Sequence, residues 1–322
     1  MMGISRRRFL TGTASLAVAG AGLPKIGWGD PLGLPIGIQL YTVGADLQKD
    51  APATIKQIAR IGYTEVETAG FGSAGSAAAL RKLLDDNAIR CPSAHLSFEL
   101  KNLNKAFDDA HALGCAYATA SVPRLLLSQM PSFDASVPAA ERAKMMQEVR
   151  KTLRAPLLSD DLKRLIDLMN QVGAAAKQQG LMFAAHNHTF EFEKVDDRPA
   201  IFSIIEKTDP NNIKFEIDCG WAEIAGFHPG DLAQAYPGRI RMLHIKDFLA
   251  FEKGAAPGSP AGPKGAEIGA GVIDYKKIFA DMQGKGVEHI FVEQEGPYSR
   301  MPAIQAAEVD YKFLHSLKNA LE

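Results

Sequence analysis

The sequence predicts a single-domain α/β protein, a (β/α)8 barrel, and three observations support this prediction. Short apolar segments rich in β-formers alternate with helical patterns along the chain, as they do in parallel βαβ units. Eight such segments are present, and each is followed by a helix or a helix-like stretch. Gln39-Leu40-Tyr41-Thr42, rather than a glycine-rich phosphate-binding loop, follows the start of the first segment, so a doubly wound open sheet is the second choice.

The predicted elements follow one another in a regular order. The strands are Ile36–Tyr41, Thr64–Glu67, Arg90–His95, Ala116–Ala120, Leu181–His186, Ile213–Asp218, Ile240–Ile245 and Ile290–Glu293. The helical patterns are Pro52–Arg60, Ser76–Asn87, Asn102–Leu113, Leu162–Gln179, Pro199–Glu206, Tyr275–Met282 and Met301–Leu321. This order fits a TIM barrel of ordinary size, and no linker divides the chain further.

Two long insertions interrupt this order, Val122–Asp160 and Leu249–Val272. The second is rich in glycine, alanine and proline, a composition typical of loops without regular structure. Because binding residues often lie on loops held by a rigid scaffold, we expect it to be a mobile loop on the active face.

The composition is that of an ordinary globular protein and excludes some classes of function. Hydrophobic residues make up 46% of the chain and charged residues 23%. The formal net charge of −1 argues against a nucleic-acid-binding surface, which needs concentrated lysine and arginine. The 3 cysteines have no pair spacing and give no disulfide framework, so stability must come mainly from an apolar core.

The N-terminal segment has the features of a bacterial export signal. A twin-arginine sequence, Ser5-Arg6-Arg7-Arg8-Phe9-Leu10, precedes a short apolar stretch that runs from Leu16 to Leu23. That stretch is too short to span a bilayer, which takes about 20 apolar residues. Residues 1–24 are therefore predicted to be a twin-arginine signal peptide, and residues 25–322 the barrel domain of a periplasmic protein that meets the membrane only during export. Since this route carries folded proteins, it suits a protein that acquires a bound cofactor before export.

Ionisable side chains stand at the ends of most of the predicted strands. They are Glu67, His95, His186, His188, Asp218, His244, Lys246, Asp247, Glu293 and Glu295. Catalytic groups of such barrels lie at the carboxyl ends of the strands. Carboxylates and imidazoles that converge there are expensive to bury unless a positive charge lies among them. The pattern therefore predicts one divalent metal ion, with mixed ligands that suit zinc, manganese, magnesium or cobalt.

With these residues, the chain resembles the xylose-isomerase-like TIM-barrel superfamily of sugar phosphate isomerases and epimerases. The resemblance covers essentially all of the mature chain. The segments that carry it are Gly37-Ile38-Gln39-Leu40-Tyr41-Thr42, Ser93-Ala94-His95-Leu96, His186-Asn187-His188-Thr189-Phe190-Glu191-Phe192, Asp218-Cys219-Gly220-Trp221, His244-Ile245-Lys246-Asp247 and Val292-Glu293-Gln294-Glu295.

The resemblance implies a metal site whose ligands come from the fifth to the eighth strand. Three positions match the epimerase pattern directly, namely Asp218, His244 and Glu293. At the end of the fifth strand this chain has His186 where the epimerases have a glutamate, and Glu191 follows five residues later. We predict His186 as the fourth ligand, with Glu191 as the alternative. The His-x-His sequence is similar to that of the inosose dehydratase branch and of relatives that act on keto-sugars.

The resemblance also implies the chemistry, which is a divalent-metal-dependent isomerisation or epimerisation of a sugar. A base removes the proton next to a metal-bound carbonyl and an enediolate forms. Loss of a hydroxyl or glycosyl group from the same intermediate gives a lyase or dehydratase of keto-sugars or 3-keto-glycosides, the alternative function. The residues predicted for catalysis are Glu295, Lys246 and Glu191, with His186 as a further candidate base. Those predicted to bind the substrate, a small sugar or keto-sugar, are His95, His188, Glu67 and Trp221, and Gln39 is a further candidate.

Two functions of other classes stay open at this point. An endonuclease for abasic sites shares this barrel but needs more metal ligands and a basic face, and the charge and the 8 histidines argue against it. A non-catalytic periplasmic sugar-binding barrel is the other, and Lys246 and Glu295 beside the predicted metal site favour catalysis over it. The sequence is compatible with a homo-oligomer and does not specify one.

The export signal gives the first testable prediction. Replacing Arg6 and Arg7 together with lysine should leave the precursor in the cytoplasm, because the twin-arginine pair is the element that the export machinery reads. Cell fractionation with an antibody against the chain measures the effect, and the unchanged protein is the control. An undiminished yield of mature protein in the periplasm would contradict the assignment.

Overall fold

Eight parallel strands close into a barrel, as the sequence predicted, and successive strands along the chain are neighbours in it. The structure is a computed structural model that describes residues 30–96, 98, 103–121, 141, 144, 157–250, 262–295 and 300–317. The strands are β1 (Ile36–Gln39), β2 (Glu65–Thr68), β3 (Arg90–His95), β4 (Tyr117–Ser121), β5 (Met182–His186), β6 (Ile213–Asp218), β7 (Ile240–Ile245) and β8 (His289–Val292). The pairing of Ile38 with Val292 joins β1 to β8 and closes the barrel.

Helices pack around the outside of the barrel and follow most of the strands. They are α1 (Gly44–Lys49), α2 (Ala51–Ile61), α3 (Ala77–Asp86), α4 (Leu103–Leu113), α5 (Ser159–Gln178), α6 (Ala200–Lys207), α7 (Cys219–Ile224), α8 (Pro229–Ala235), α9 (Tyr275–Met282) and α10 (Ala303–Ser316). Side-chain caps begin several of them: Asp50 accepts the N–H of Ala53 at 2.9 Å, and Ser76 accepts that of Ala79 at 3.2 Å. Within the described residues, none of these helices is both long and apolar enough to cross a membrane.

The predicted elements are present, and most of their ends differ from the prediction by one or two residues. The largest difference in a strand is in β1, which ends at Gln39 rather than at Tyr41 because Leu40–Val43 forms a 3-10 turn. The side chain of Gln39 accepts the N–H of Tyr41 at 3.1 Å and so stabilises this turn. The short helices α1, α7 and α8 were not predicted, since helices of two turns or fewer show no clear apolar period.

Apolar side chains form two separate regions, one outside the barrel strands and one within them. The outer region lies between strands and helices and includes Ile38, Val66 and Ile217. The second is a layer across the barrel interior, formed by Tyr117, Ala184, Met242 and Phe291. This interior layer depends on Gly37 in β1, because a Cβ at that position would lie 2.5 Å from Cδ1 of Phe291.

Polar side chains lie on both sides of the interior layer. At the amino ends of the strands, Glu65 contacts Arg90 at 2.6 Å and His289 at 2.8 Å. Arg241 contacts Glu288 at 3.0 Å at the same end of the barrel. The side chains predicted for function lie at the opposite end, where the strands terminate, so the interior layer separates a structural end from a functional one.

Several predictions fall on residues that the structure does not describe. The predicted signal peptide, residues 1–24, lies entirely outside the described residues, as does most of the insertion Val122–Asp160. Of the insertion Leu249–Val272, residues 251–261 lie outside them as well.

The described part of the loop after β7 is held by backbone contacts, and the mobility of the loop stays a prediction. Gly265–Ala266 pairs with Asp247–Phe248 as a short antiparallel ribbon. The buried carboxylate of Asp247 accepts the backbone N–H groups of Gly269 at 2.9 Å, Gly271 at 3.1 Å and Ile273 at 3.1 Å. The sequence pattern did not reveal this anchor because glycine-rich composition says nothing about a distant carboxylate that satisfies the loop amides.

A second buried carboxylate, Asp310 on α10, holds the same loop and leads to a testable prediction. It accepts the N–H of Ile268 at 2.7 Å, and burial raises the pKa of Asp310 to about 7. The folded state therefore retains a proton that the unfolded state releases above its ordinary pKa of 3.8. The free energy of unfolding should consequently fall by roughly 1 kcal/mol per pH unit as the pH rises to about 7, and this loss should level off above that pH.

Asp310→Asn tests this because an amide keeps the acceptor but does not titrate. Urea unfolding at pH 5 and at pH 8 should show a smaller loss of stability in Asp310→Asn than in the unchanged protein. Asp86→Asn, at an exposed position of α3, serves as the matched control and should keep the original pH dependence. An equal loss in all three proteins would contradict the assignment to Asp310.

Candidate metal and acid–base site

The carboxyl ends of six strands bring a dense set of ionisable side chains together. These side chains are Glu67, His95, His186, Glu216, Asp218, His244, Lys246, Glu293 and Glu295. All but His95 and Glu295 are nearly or fully buried. In this setting each charge depends on its neighbours rather than on water.

Lys246 is the positive centre of the outermost part of this set. Its Nζ lies 2.9 Å from Oδ2 of Asp218, 2.9 Å from Oε2 of Glu293 and 2.5 Å from Oε1 of Glu295. Burial would lower the pKa of Lys246, but these three carboxylates outweigh it and raise that pKa well above its usual range. The ring of Trp221 lies 5.0 Å from the same Nζ. Lys246 is thus a buried ammonium ion whose partners include two predicted metal ligands.

The two carboxylate oxygens of Asp218 contact different partners. Its Oδ1 accepts the N–H of Trp221 at 2.9 Å and so caps the short helix α7, while Oδ2 faces Lys246. The backbone N–H of Asp218 donates to the side chain of Asn187 at 3.0 Å, which links the ends of β5 and β6. These contacts fix the carboxylate at the mouth of the barrel.

The three histidines His95, His186 and His244 converge on Glu216, which lies one interior position below Asp218 on β6. Their ring nitrogens lie 2.9, 3.1 and 3.2 Å from Oε2 of Glu216. Burial works against the charge of Glu216, but His244, His186 and His95 outweigh it and hold the pKa of Glu216 well below its usual range. Burial likewise lowers the pKa of His95, and Glu67 and Glu216 outweigh it and raise that pKa to about 9.

Glu67 lies beside the histidines and is itself fully buried. Its Oε1 is 3.0 Å from Nε2 of His95 and 2.8 Å from Nε2 of His244. Gln39 donates to Oε1 at 2.6 Å, and Ser93 donates to Oε2 at 2.5 Å. Glu67 was predicted from the sequence to bind the substrate, and in the structure its carboxylate contacts His95 and His244.

Two sets of four side chains place their ligand atoms close enough to hold a metal ion. We call His186, Asp218, His244 and Glu293 the mouth group, and His95, His186, Glu216 and His244 the inner group. Within each group the ligand atoms lie within 4.8 Å of one another. The mouth group contains the four ligands predicted from the sequence, and Glu191 is in neither group. The donors of the mouth group, two imidazoles and two carboxylates, are a set that divalent cations accept.

The remaining predicted residues surround this site at different depths. Glu191 is fully buried and accepts the N–H of His188 at 2.9 Å, and burial raises the pKa of Glu191 to about 7. The ring of His188 packs 6.4 Å from that of Trp221. Burial and the neighbouring His186 lower the pKa of His188 well below its usual range. Trp221 is 8% exposed and packs on Phe248, so most of its ring is part of the wall.

Glu295 differs from the other carboxylates in its exposure. Its side chain is 37% exposed, whereas those of Asp218 and Glu293 are 0% and 10% exposed. Glu295 follows the end of β8 and keeps one oxygen on Lys246. Of these three partners of Lys246, it is the one that a molecule entering from solvent can reach most directly.

Glu216 and Ser93 belong to this site and were not predicted from the sequence. Both lie inside strands, whereas the predicted site residues stand at the strand ends. A signal was nevertheless present for Glu216, because it stands two residues before Asp218 and therefore shares its face of the strand. A charged residue in a strand that is buried on both faces must point into the barrel and find partners there.

Comparison with known proteins gives one family. The family model for the xylose isomerase-like TIM barrel matches residues 55–317. An inosose dehydratase of Lacticaseibacillus casei is 25% identical over 173 residues, and this alignment covers 50% of the chain and 56% of that relative. An inosose dehydratase of Geobacillus kaustophilus is 24% identical over 250 residues, or 71% of the chain and 74% of the relative. The chain therefore spans little more than half of the former relative.

Solved structures agree on the fold at low sequence identity. A sugar phosphate isomerase/epimerase of Parabacteroides distasonis superposes with a TM-score of 0.64 at 22% identity, covering 93% of this chain and 96% of the other. An IOLI protein with a bound zinc atom gives 0.60 at 15% identity, with 88% and 97% covered. A Mycobacterium smegmatis barrel protein in complex with magnesium gives 0.58 at 14% identity, with 90% and 98% covered.

The family match extends over most of the chain and over seven of the eight barrel strands, β2 to β8. The closed parallel barrel agrees with it, as does the cluster of metal-compatible side chains at the carboxyl ends of the strands. The chain belongs to the xylose isomerase-like TIM barrel family.

Proposed function

We propose that this protein is a metal-dependent sugar isomerase or epimerase that removes a proton from the carbon next to a carbonyl. The observation that carries the proposal is the pair formed by Glu295 and Lys246 at the mouth of the barrel. A partly exposed carboxylate lies 2.5 Å from a buried ammonium ion, directly beside the mouth group. This combination supplies a base and a fixed positive charge in one place.

The mouth group is the proposed site of the metal ion. His186, Asp218, His244 and Glu293 would hold it, and Zn²⁺, Mn²⁺, Mg²⁺ and Co²⁺ are all compatible with such donors. When bound, a divalent cation there acts as a Lewis acid on a carbonyl of the substrate. The metals in the structures of the zinc-bound and magnesium-bound relatives support the choice of a divalent ion and leave its identity open.

The chain's own residues then divide the work of proton transfer. Glu295 is the proposed base, because it is the most exposed partner of Lys246. Lys246 keeps Glu295 oriented and places a positive charge where negative charge develops on the substrate. Lys246 is held by Asp218 and Glu293, so its position does not depend on the substrate. His95, at the edge of the buried cluster, is proposed to contact a substrate hydroxyl, and His188 and Trp221 to form part of the wall.

A dehydratase or lyase is the second candidate, and the relatives favour it specifically. The inosose dehydratases of Lacticaseibacillus casei and Geobacillus kaustophilus are similar to this chain in sequence. Elimination begins with the same removal of a proton next to a carbonyl and differs in what leaves afterwards. Glu191, whose pKa is about 7, is a candidate to protonate a leaving hydroxyl.

Export to the periplasm remains a separate proposal that rests on Arg6 and Arg7.

Exchange of solvent deuterium into the carbon beside the carbonyl tests the shared first step. We expect the unchanged protein to exchange this hydrogen in at least one member of a panel of aldoses, ketoses and inososes. In Glu295→Gln the rate should fall by about 10²–10⁴-fold, the loss typical of a removed proton-transfer group, while the bound metal is retained. Nuclear magnetic resonance measures the exchange, and elemental analysis measures the metal.

Two further variants make the result specific. Lys246→Met should also slow exchange, and circular dichroism must show that this variant is folded, because Asp218 and Glu293 lose their buried counter-ion. Glu308→Gln, on the exposed face of α10, is the matched control for a lost carboxylate and should exchange at the original rate. Full exchange in both Glu295→Gln and Lys246→Met would remove the pair from the mechanism and leave His186 or Glu191 as the base.

A further inference from the structure

The inner group shares His186 and His244 with the mouth group and has His95 and Glu216 in place of Asp218 and Glu293. His95, His186 and His244 come from β3, β5 and β7, which are alternate strands, as in one interior layer of such a barrel. Glu216 comes from β6 and is fully buried. The mouth group has two carboxylates and two imidazoles, whereas the inner group has one carboxylate and three imidazoles, a set that suits zinc and related metals.

The distances within the inner group match those between the ligands of a four-coordinate ion. A tetrahedral zinc site with bonds of about 2.0–2.1 Å places neighbouring ligand atoms roughly 3.4 Å apart. The three ring nitrogens lie 2.9, 3.1 and 3.2 Å from Oε2 of Glu216. Small movements of the side chains would therefore admit an ion, and no backbone change is required.

A second observation is the other carboxylate oxygen of Glu216. Its Oε1 is buried and has no hydrogen-bond partner among the described residues. A buried carboxylate oxygen without a hydrogen-bond partner is costly unless a cation lies near. Glu67, which contacts His95 and His244, adds a second buried negative charge beside the group. As metal ligands the three imidazoles would be neutral, and together with the two carboxylates they would carry a charge of −2, which one divalent cation neutralises.

His244 can serve the inner group without using its contact to the mouth group. Its Nε2 faces Glu216 and Glu67, while its Nδ1 lies 3.1 Å from Glu293. The mouth group also has an alternative positive charge, since Lys246 already contacts Asp218 and Glu293. The two groups therefore differ in the source of positive charge for their carboxylates. Lys246 supplies it to Asp218 and Glu293, whereas Glu216 depends on protonated histidines or on a bound ion.

We propose that His95, His186, Glu216 and His244 bind a divalent cation of the zinc class, at a site that does not require Asp218 or Glu293. The competing arrangement has no metal, and protonated His95 and His244 balance Glu67 and Glu216. This site shares His186 and His244 with the mouth group, and His95 with the proposed substrate contact, but it includes neither member of the proton-transfer pair Glu295 and Lys246.

Zinc binding by the full-length protein distinguishes the two arrangements. The protein is stripped with a chelator and titrated with Zn²⁺ against a chromophoric competitor, and bound metal is counted by elemental analysis. The variant with Asp218→Asn and Glu293→Gln should still bind one Zn²⁺ per chain. Adding Glu216→Gln to this variant should lower its affinity for Zn²⁺ by more than the 10–100-fold typical of losing a residue that only hydrogen-bonds to a metal ligand. Adding His95→Gln should have the same effect.

Co²⁺ in place of Zn²⁺ gives a second readout that does not depend on activity. The variant with Asp218→Asn and Glu293→Gln should show the strong visible absorption of four-coordinate Co²⁺, and Glu216→Gln should abolish it. His95→Gln serves in place of Glu216→Gln should the latter fail to fold, and Glu308→Gln is the control at an exposed position.

The outcomes separate this proposal from the proposed function. Loss of all bound metal in the variant with Asp218→Asn and Glu293→Gln would overturn the inner site, as would binding that Glu216→Gln and His95→Gln leave unchanged. Loss of deuterium exchange in Glu295→Gln has no bearing on the inner site. Conversely, an inner site without zinc leaves the proton-transfer test at the mouth intact.

Discussion

Charge balance inside a closed barrel is the constraint on which the functional end of this protein depends. Closure brings the ends of eight strands to one small space, where Lys246 after β7 contacts one carboxylate from the end of β6 and two from the end of β8. Few of these groups reach water, so every carboxylate needs a positive neighbour. Lys246 is the positive neighbour of Asp218, Glu293 and Glu295 at the mouth. The histidines are the neighbours of Glu216 and Glu67. The position of each group is consequently fixed by the others.

The fold was predictable from the sequence because its main signals are local. The apolar segment Ile213–Asp218 appears in the structure with the predicted bounds, and so does the helix Tyr275–Met282. The predicted end of a strand was wrong where a local turn competes with the strand. This occurs at Gln39, whose side chain accepts the N–H of Tyr41 in the turn that follows. The helix Cys219–Ile224 was not predicted because it is too short to show an apolar period, although Asp218 caps its beginning.

The candidate site was predictable where a residue stands at the end of a strand and less so elsewhere. His95, His186, Asp218, His244 and Glu293 were named from that position, and the structure brings them together; their roles remain predictions. Glu216 was not predicted as a site residue because it lies within the strand, and the sequence does not show which side chains face it across the barrel. The partners of Lys246 likewise come from different strands, and only the closed geometry reveals that one ammonium ion contacts three carboxylates.

The apolar layer of Tyr117, Ala184, Met242 and Phe291 has a consequence for how the two ends of the barrel communicate. It lies between the ion pairs of Glu65 and His289 at one end and the histidine cluster at the other. Hydrocarbon conducts neither protons nor ions, so the layer works as an electrical insulator. Protons, water and ligands that reach the cluster must enter and leave by the mouth. The ion pairs at the amino end of the barrel are therefore kept from exchanging protons with the mouth through the interior, although a layer of low dielectric does not screen their electric field.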